Sequence, residues 1–240
     1  MRPLTAVKDR RAFGSVKTKR GARKGLGNLM ASSAEMRAAA GEGAARAGEP
    51  AAARTMADPG AWAVTAFATT SFMLGMYNTG LLHAGGAAIV IPVAFFFGGL
   101  VQLLVGVLEV SRGNLFGAVV FGTYGPFWII YGAIETLYGA DVAKADVGSA
   151  VSLFLAMFAV LTFYFFVASL RTDLVLVGVF ALIFAGLVLL AIGAGADLGT
   201  VTKAGGWVTL AFAVLAWYHA ASDLIASTFG RRVLPVVPLH

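Results

Sequence analysis

Between residues 61 and 227 the apolar positions come in long blocks, and the polar positions gather in short gaps between them. Crossing a bilayer core takes about 20 apolar residues of helix. Six blocks reach that length: 61–82, 87–108, 115–137, 147–170, 174–194 and 207–227. The gaps read "HAGG", "EVSRGN", "YGADVAKAD", "RTD" and "GADLGTVTKAGG", too short to hold a soluble domain. An open sheet edge in hydrocarbon would leave backbone groups without partners. The pattern therefore predicts an all-α membrane protein, with six transmembrane helices over residues 57–230 and a short C-terminal tail over 231–240.

Polar residues interrupt the blocks at helical spacing. In the first block Phe67, Thr70, Ser71, Leu74 and Asn78 fall three or four apart and share a face. Gly98, Gln102, Gly106 and Glu109 do the same in the second, and Thr123, Tyr124, Phe127, Tyr131 and Glu135 form a stripe in the third. In the sixth, His219 and Asp223 are an i,i+4 pair. A charge at the bilayer centre costs about 2.5–3.5 kcal/mol on insertion scales, so such groups are candidates for function.

Each stripe also has a structural reading. Thr and Ser hydroxyls in membrane helices bond their own preceding carbonyls. An amide such as Gln102 can join two helices. Glu109, Glu135 and Asp223 can lie at headgroup level, His219 can be a satisfied interfacial histidine, and Tyr131, Tyr138, Trp207 and Trp217 suit an aromatic belt. Against these stands a coincidence: three separate spans place hydroxyls or amides at mid-depth. Mainly neutral donors along a narrow path would lower the desolvation barrier for a small carboxylate without trapping it as a fixed cation would.

Composition fits the class. The chain is 59% hydrophobic and 12% charged, where soluble domains carry about 25% charged residues. The net charge of +6 is unevenly spread: residues 1–54 hold 12 Lys and Arg against 4 Asp and Glu. This basic, Ala/Gly-rich segment cannot bury enough apolar surface to offset its ordering entropy. Residues 1–56 are expected to be a mostly disordered tail, with room for a short helix over 34–47. Its Lys8–Lys24 cluster suits a solvated cytoplasmic extension, with anionic lipid or nucleic acid as other partners; nothing in the body needs nucleic acid. Met56 opens "MADPGAW" directly before the first block, and a chain starting there would keep every element named above.

Loop cations set an orientation. One side would carry Arg112, Arg171, Arg231 and Arg232, the other only Lys144 and Lys203 with Asp141, Asp146 and Asp197 nearby. Both termini are expected in the cytoplasm. The chain has no Cys, which excludes disulfides, zinc–thiolate sites and thiol catalysis. No paired metal-ligand His, no nucleophile–base arrangement and no phosphate-binding Gly loop before Lys-Ser/Thr occurs. No enzyme activity, metal, cofactor or ATP-driven pumping is expected.

Several segments carry a resemblance: "FATTSFMLGMYNTG", "FFGGLVQLLVGVLEVSRGNLFGAVVFGTYGPFWI", "LLAIG", "AGGW" and "FGRRVLPV". Over residues 57–236 the chain resembles the acetate/succinate transporter family, the bacterial succinate-acetate permease group related to fungal acetate and ammonia-export proteins. The most specific block has GGxxQ, LE, RGNxFG and YGxFW in order. The resemblance implies a six-helix protomer in a hexameric ring in the cell's inner (plasma) membrane, with its own path for acetate and related short carboxylates such as succinate, linked to protons.

The resemblance further implies an apolar constriction at Phe67 and Tyr124, with a fifth-span aliphatic residue near Ile183. It implies a path past Asn78 and Gln102, with an acid at Glu109. Thr70, Ser71 and Thr123 are added to that path from their stripes. Glu109, Glu135, His219 and Asp223 are the candidates for proton coupling. The chain departs from the family's opening signature, Asn-Pro-Ala-Pro-Leu-Gly. It reads "DPGAWA", with Asp58 for Asn, no second Pro, and Trp62 where Leu is expected. An exposed carboxylate at Asp58 would repel an anion. A pore for another small solute (ammonia or urea) and a non-transporting membrane scaffold remain the rival functions.

Overall fold

The computed structural model describes residues 30–38 and 56–239. A helix covers 30–38, inside the segment expected to be mostly disordered. The remainder of that tail, including residues 39–47 of the expected helix, lies outside the described residues.

From residue 56 onward the protein is a succession of helices: α1 Gly60–Asn78, then α2 Ala84–Arg112, α3 Leu115–Asp141, α4 Val147–Ser169, α5 Leu174–Gly195 and α6 Gly199–Phe229. Among the described residues there is no strand beyond a lone antiparallel bridge between Asp173 and Pro238. Five helices, α2 to α6, are long and apolar enough to cross a membrane. Thr65, Thr69, Thr70, Ser71 and Asn78 dilute α1, which at 19 residues falls short on composition alone. Length and apolarity therefore support five of the six expected spans.

Two expected loops are helical instead. "TVTKAGG" reads as a connection because of its glycines, yet α6 begins at Gly199. Gly206 sits where a Cβ would lie 2.6 Å from the Thr79 backbone nitrogen, so it permits close approach to the end of α1 rather than breaking the helix. "HAGG" likewise enters a tight helical turn from Ala84. Inside α2 the helix widens to i→i+5 bonding over Ala94–Val101 before returning to α geometry at Gln102. Such widenings concentrate at functional positions.

Each helix packs on its sequence neighbours, and α6 closes the ring against α1. The α2–α3 seam is backbone on backbone. A Cβ on Gly106 would lie 2.7 Å from the Gly122 nitrogen, and one on Gly125 would lie 2.5 Å from that of Leu103. The α3–α4 seam is the widest between sequential helices and is filled by rings, with Phe127 stacked on Phe154 at 5.2 Å and edge-on to Phe158 at 4.9 Å. Burial runs opposite to a soluble protein: Gln102 and Glu109 are 0% exposed, while Phe96 is 68% and Val107 60% exposed along the outer face of α2. An apolar exterior around a polar interior is the arrangement a lipid solvent requires, and this is a membrane protein.

The C-terminal residues fold back across one end of the bundle. The Tyr218 hydroxyl donates to the Pro235 carbonyl at 2.7 Å and Ser222 to that of Leu234 at 2.6 Å. The Leu174 and Leu239 amides donate to the Val237 and Thr172 carbonyls at 3.0 and 3.1 Å. Asp173 anchors this end. One carboxylate oxygen caps α5 by accepting from the Leu176 amide at 2.9 Å, and the other meets His219 Nε2 at 3.0 Å. Burial alone would raise this carboxyl, but the bonds from His219 and from the Leu176 and Val175 amides outweigh it and hold the group below its ordinary value.

Two outcomes follow for stability. Gly106→Ala must push the Gly122 backbone aside and should cost roughly 1–3 kcal/mol. Gly122→Ala, whose added Cβ meets nothing within 4 Å, should leave the unfolding midpoint in detergent unchanged or slightly raised. Asp173→Ala should cost about 0.5–2 kcal/mol through the lost cap. Because the folded carboxyl is depressed, its charge-dependent share is complete above the ordinary carboxylate value and vanishes as pH falls through the folded one. Wild-type and Asp173→Ala melting curves should converge over that acidic window.

Candidate functional site

Two cavities lie inside the ring. One, of about 170 Å³, is bounded at its polar end by Asp58, Gln102, Glu109, Asn114, His219 and Asp223, and is called the acidic cavity below. The other, of about 230 Å³, is bounded by Phe127, Trp128, Tyr131 and Phe154 together with Ser71, Asn78 and Glu135, and is called the aromatic cavity. Each is many times the ~10–15 Å³ that one water needs. Phe67 of α1, Tyr124 of α3 and Ile183 of α5 line both. These three side chains form the partition between the cavities.

The partition is buried and held by rings. Phe67 lies 5.2 Å from Tyr124 and 5.7 Å from Phe212, centroid to centroid, and Tyr124 is edge-on to Phe165 at 5.8 Å. The Tyr124 and Thr162 hydroxyls are 2.7 Å apart, and Thr162 donates its single proton to the Phe158 carbonyl at 2.7 Å. Tyr124 must therefore be the donor to Thr162. Its proton is spent inside the wall, so this hydroxyl has no donor left for a passing solute.

Buried polar atoms without hydrogen-bond partners cluster at the cavities. Among the described residues they are Ser71 Oγ and Trp128 Nε1 on the aromatic side, and Gln102 Oε1, both Glu109 oxygens and His219 Nδ1 on the acidic side. Arg112 Nε is the one such atom whose residue lines neither cavity. A buried orphan costs about 1–3 kcal/mol, and the others belong to residues that line a cavity large enough to hold water. Gln102 spends Nε2 on the Gly98 carbonyl at 2.7 Å, which fixes the amide so that its oxygen remains free.

The other expected residues divide. Asn78 lines the aromatic cavity, and Glu135 sits exposed at its rim. His219 and Asp223 line the acidic cavity, but both are engaged: His219 with Asp173 at 3.0 Å, Asp223 with Arg232 at 3.1 Å. Thr70 lines neither cavity. Its hydroxyl bonds the Ala66 carbonyl at 2.8 Å and its side chain packs where a Cβ on Gly98 would be. Thr123 is half-buried and lines neither as well. Stripe membership put both on the path; a helix face is wider than the arc that meets the cavity.

Asp58 lines the acidic cavity and is not a bare charge. Arg112 holds it at 3.0 Å, donates to the Met56 carbonyl at 3.1 Å, and lies 3.5 Å from Glu109. Thr162, Trp128 and Phe212 were not singled out in the sequence. Thr162 is the lone aliphatic hydroxyl in "FAVLTFYFF" and could have been found as such. Trp128 and Phe212 look like any aromatic in an apolar run. Among the described residues no three His, Asp or Glu side chains are placed to share a metal ion.

Comparison with known proteins places this architecture. Over 185 residues the chain is 30% identical to the succinate-acetate/proton symporter SatP of Escherichia coli K12, covering 77% of this chain and 97% of the symporter. It is 33% identical over 199 residues to acetate permease A of Emericella nidulans, covering 77% and 67% of the two chains. Identity to ammonia transport outward protein 2 of Saccharomyces cerevisiae is 31% over 180 residues, covering 73% and 64%. The fold superimposes on the solved bacterial acetate channel SatP with a TM-score of 0.71 at 30% identity, covering 75% of this chain and 99% of that one. The GPR1/FUN34/yaaH family model matches residues 41–240, and the chain belongs to that family.

Proposed function

We propose that this protein carries acetate and related short carboxylates, succinate among them, across the cell's inner membrane in company with protons. The observation that carries the reading is the partition: two polar-ended cavities in one protomer meet only at Phe67, Tyr124 and Ile183. A narrow apolar neck between wet vestibules strips hydration from whatever passes, which favours a small solute over a hydrated ion. Similarity to a succinate-acetate/proton symporter and an acetate permease supports the substrate class.

In this reading α1 is the sixth span. Its 19 residues extend about 28 Å, close to the ~30 Å hydrocarbon core. Its hydroxyls do not weaken the assignment, since Thr65, Thr69 and Thr70 bond carbonyls one turn back at 2.7–2.8 Å. The Arg-bearing ends at Arg112, Arg171, Arg231 and Arg232 lie in the cytoplasm with both termini, so the acidic cavity opens inward. The apolar outer faces suit neighbouring protomers of a hexameric ring as well as lipid. An ammonia path is the second reading, supported by the acceptor-rich acidic cavity and by the yeast ammonia-transport relative.

Uptake of labelled acetate into proteoliposomes, with labelled methylammonium as the control solute, separates the two. Acetate should accumulate above protein-free vesicles under an inward proton gradient, and methylammonium should not; the reverse result would favour the ammonia path. Phe67→Ala removes the ring that touches both Tyr124 and Phe212. It should raise acetate flux severalfold and admit larger carboxylates that the wild type rejects. Gln102→Leu should cut flux about tenfold, the equivalent of ~1.4 kcal/mol of lost hydrogen bonding. Unchanged flux in both variants would take Phe67 and Gln102 off the path, and no protein-dependent flux of either solute would return the bundle to a scaffold role.

A further inference from the structure

The polar atoms that face the path differ in kind on its two sides. The acidic cavity is lined by three carboxylates, Asp58, Glu109 and Asp223, and by His219, with no Lys or Arg among its lining residues. At the mouth, Asp58 is held by Arg112 at 3.0 Å and Asp223 by Arg232 at 3.1 Å. Inward of Asp58, Glu109 beside Arg112 and Gln102 two turns away along α2 are both fully buried. Their free atoms are Gln102 Oε1 and the two Glu109 carboxylate oxygens, and all three are acceptors. Tyr124 carries the hydroxyl among the lining residues, and it is already donated to Thr162.

The groups that face Glu109 come from each neighbouring element. Arg112 on its own helix has Nε at 3.5 Å without a hydrogen bond, and shares its charge with Asp58 from the segment before α1. Asn114 and Gly117 stand at the start of α3, and Asn114 spends its side-chain oxygen on the Gly117 amide at 3.2 Å. His219 and Asp223 stand on α6, backed by Asp173 and Arg232. One guanidinium serves two carboxylates, so the deep end keeps an excess of negative charge. A carboxylate anion entering there would meet like charge in a poorly screened site, where Asn114 Nδ2 and the His219 ring are the lining side-chain nitrogens not bound to a carbonyl.

An undissociated carboxylic acid fits instead, because it brings one donor and one acceptor. Its O–H suits Glu109 or Gln102 Oε1. Its carbonyl oxygen suits the two unpartnered donors of the aromatic cavity, Ser71 Oγ–H and Trp128 Nε1–H. Resting on the carboxylate reading above, we infer that the species crossing the partition is the neutral short-chain acid, selected by the buried acceptors of Gln102 and Glu109. The proton travels on the substrate. After exit the acid transfers it to water, giving carboxylate and hydronium; only the O–H bond breaks, and no side chain changes charge. Each crossing moves one proton with one carboxylate and no net charge.

The test uses the full chain in proteoliposomes at fixed total acetate, with protein-free vesicles subtracted and the membrane potential clamped. Above the acid's own pKa the neutral fraction falls about tenfold per pH unit, and the protein-dependent initial rate should fall with it. The rate should not respond to the clamped potential, and planar bilayers should carry no acetate current. A pH-independent rate, with a current reversing at the acetate equilibrium potential, would overturn the inference and leave carboxylate transport standing. Ammonium chloride that blocks acetate flux at constant pH would place a cation in the acidic cavity and would also overturn it.

Glu109→Gln keeps an acceptor oxygen, removes the charge and adds N–H donors. It should open an acetate current that the wild type lacks; a variant that remains electroneutral removes the selecting role from Glu109. The wild-type measurements stand by themselves if that variant fails to fold. No protein-dependent acetate flux in the wild type at any pH would sink the carboxylate reading itself.

Discussion

A hydrogen-bonding group inside hydrocarbon must find its partner in the protein or in a cavity, and this requirement organises the bundle. Most hydroxyls on the helices meet it locally. Thr65, Thr69, Thr70, Thr136, Thr162 and Thr209 each bond the carbonyl four residues back, at 2.6–2.9 Å. Such a threonine has spent its one proton within one turn and has only acceptor capacity left, which Thr162 uses for Tyr124 and Thr69 for Trp217. What remains unpaired is confined almost wholly to residues that touch one of two cavities. The polar groups available to a solute are therefore a small subset of those in the spans. Hydrogen-bond accounting, rather than residue type, picks them out.

The partition follows from the same requirement. A tyrosine placed between two cavities would offer its hydroxyl to whatever passes, unless another group claimed it. Thr162 claims it from α4, the helix whose backbone stands farthest from α3 among sequential neighbours. The width of that seam makes room for Phe127, Phe154 and Phe158, and their stacking holds the two helices in register. Phe67 then rests against Tyr124 on one side and Phe212 on the other. The neck is thus an apolar surface whose one polar atom is turned into the wall, at the point where desolvation is most complete.

Much of this was legible in the chain. Long apolar blocks separated by short gaps gave the helical class and most boundaries, because segment length and hydrophobicity are what a bilayer reads. The spans that hold Phe67, Tyr124 and Ile183 were apparent too. The depth of α6 was not. Glycines were read as punctuation, whereas Gly205 and Gly206 are contact surfaces against Leu190 and the Asn78–Thr79 backbone. Nor could spacing separate Ser71 from Thr70: adjacent on one helix, one faces a cavity and the other a glycine of α2. Thr162 went unnoticed because its partner lies 38 residues away, and no local pattern encodes such a pair. The helix at 30–38 rises from an Ala-rich composition that favours helix, within a segment whose charge and glycine content argued for disorder.

The substitution in the opening signature bears on charge at the mouth of the acidic cavity. Asp58 accepts from the Gly60 amide at 2.8 Å as α1 begins, and binds Arg112 through its other oxygen at 3.0 Å. With 68% of its side chain exposed, the pair contributes little to stability. Its effect is on allocation. The resemblance puts a neutral Asn at this position, and with Asn there Arg112 would have Glu109 as its sole carboxylate. Here the guanidinium makes its short contact with Asp58 and stands 3.5 Å from Glu109. Asp58 therefore shares with Glu109 a cation that an Asn at this position would leave to Glu109 alone.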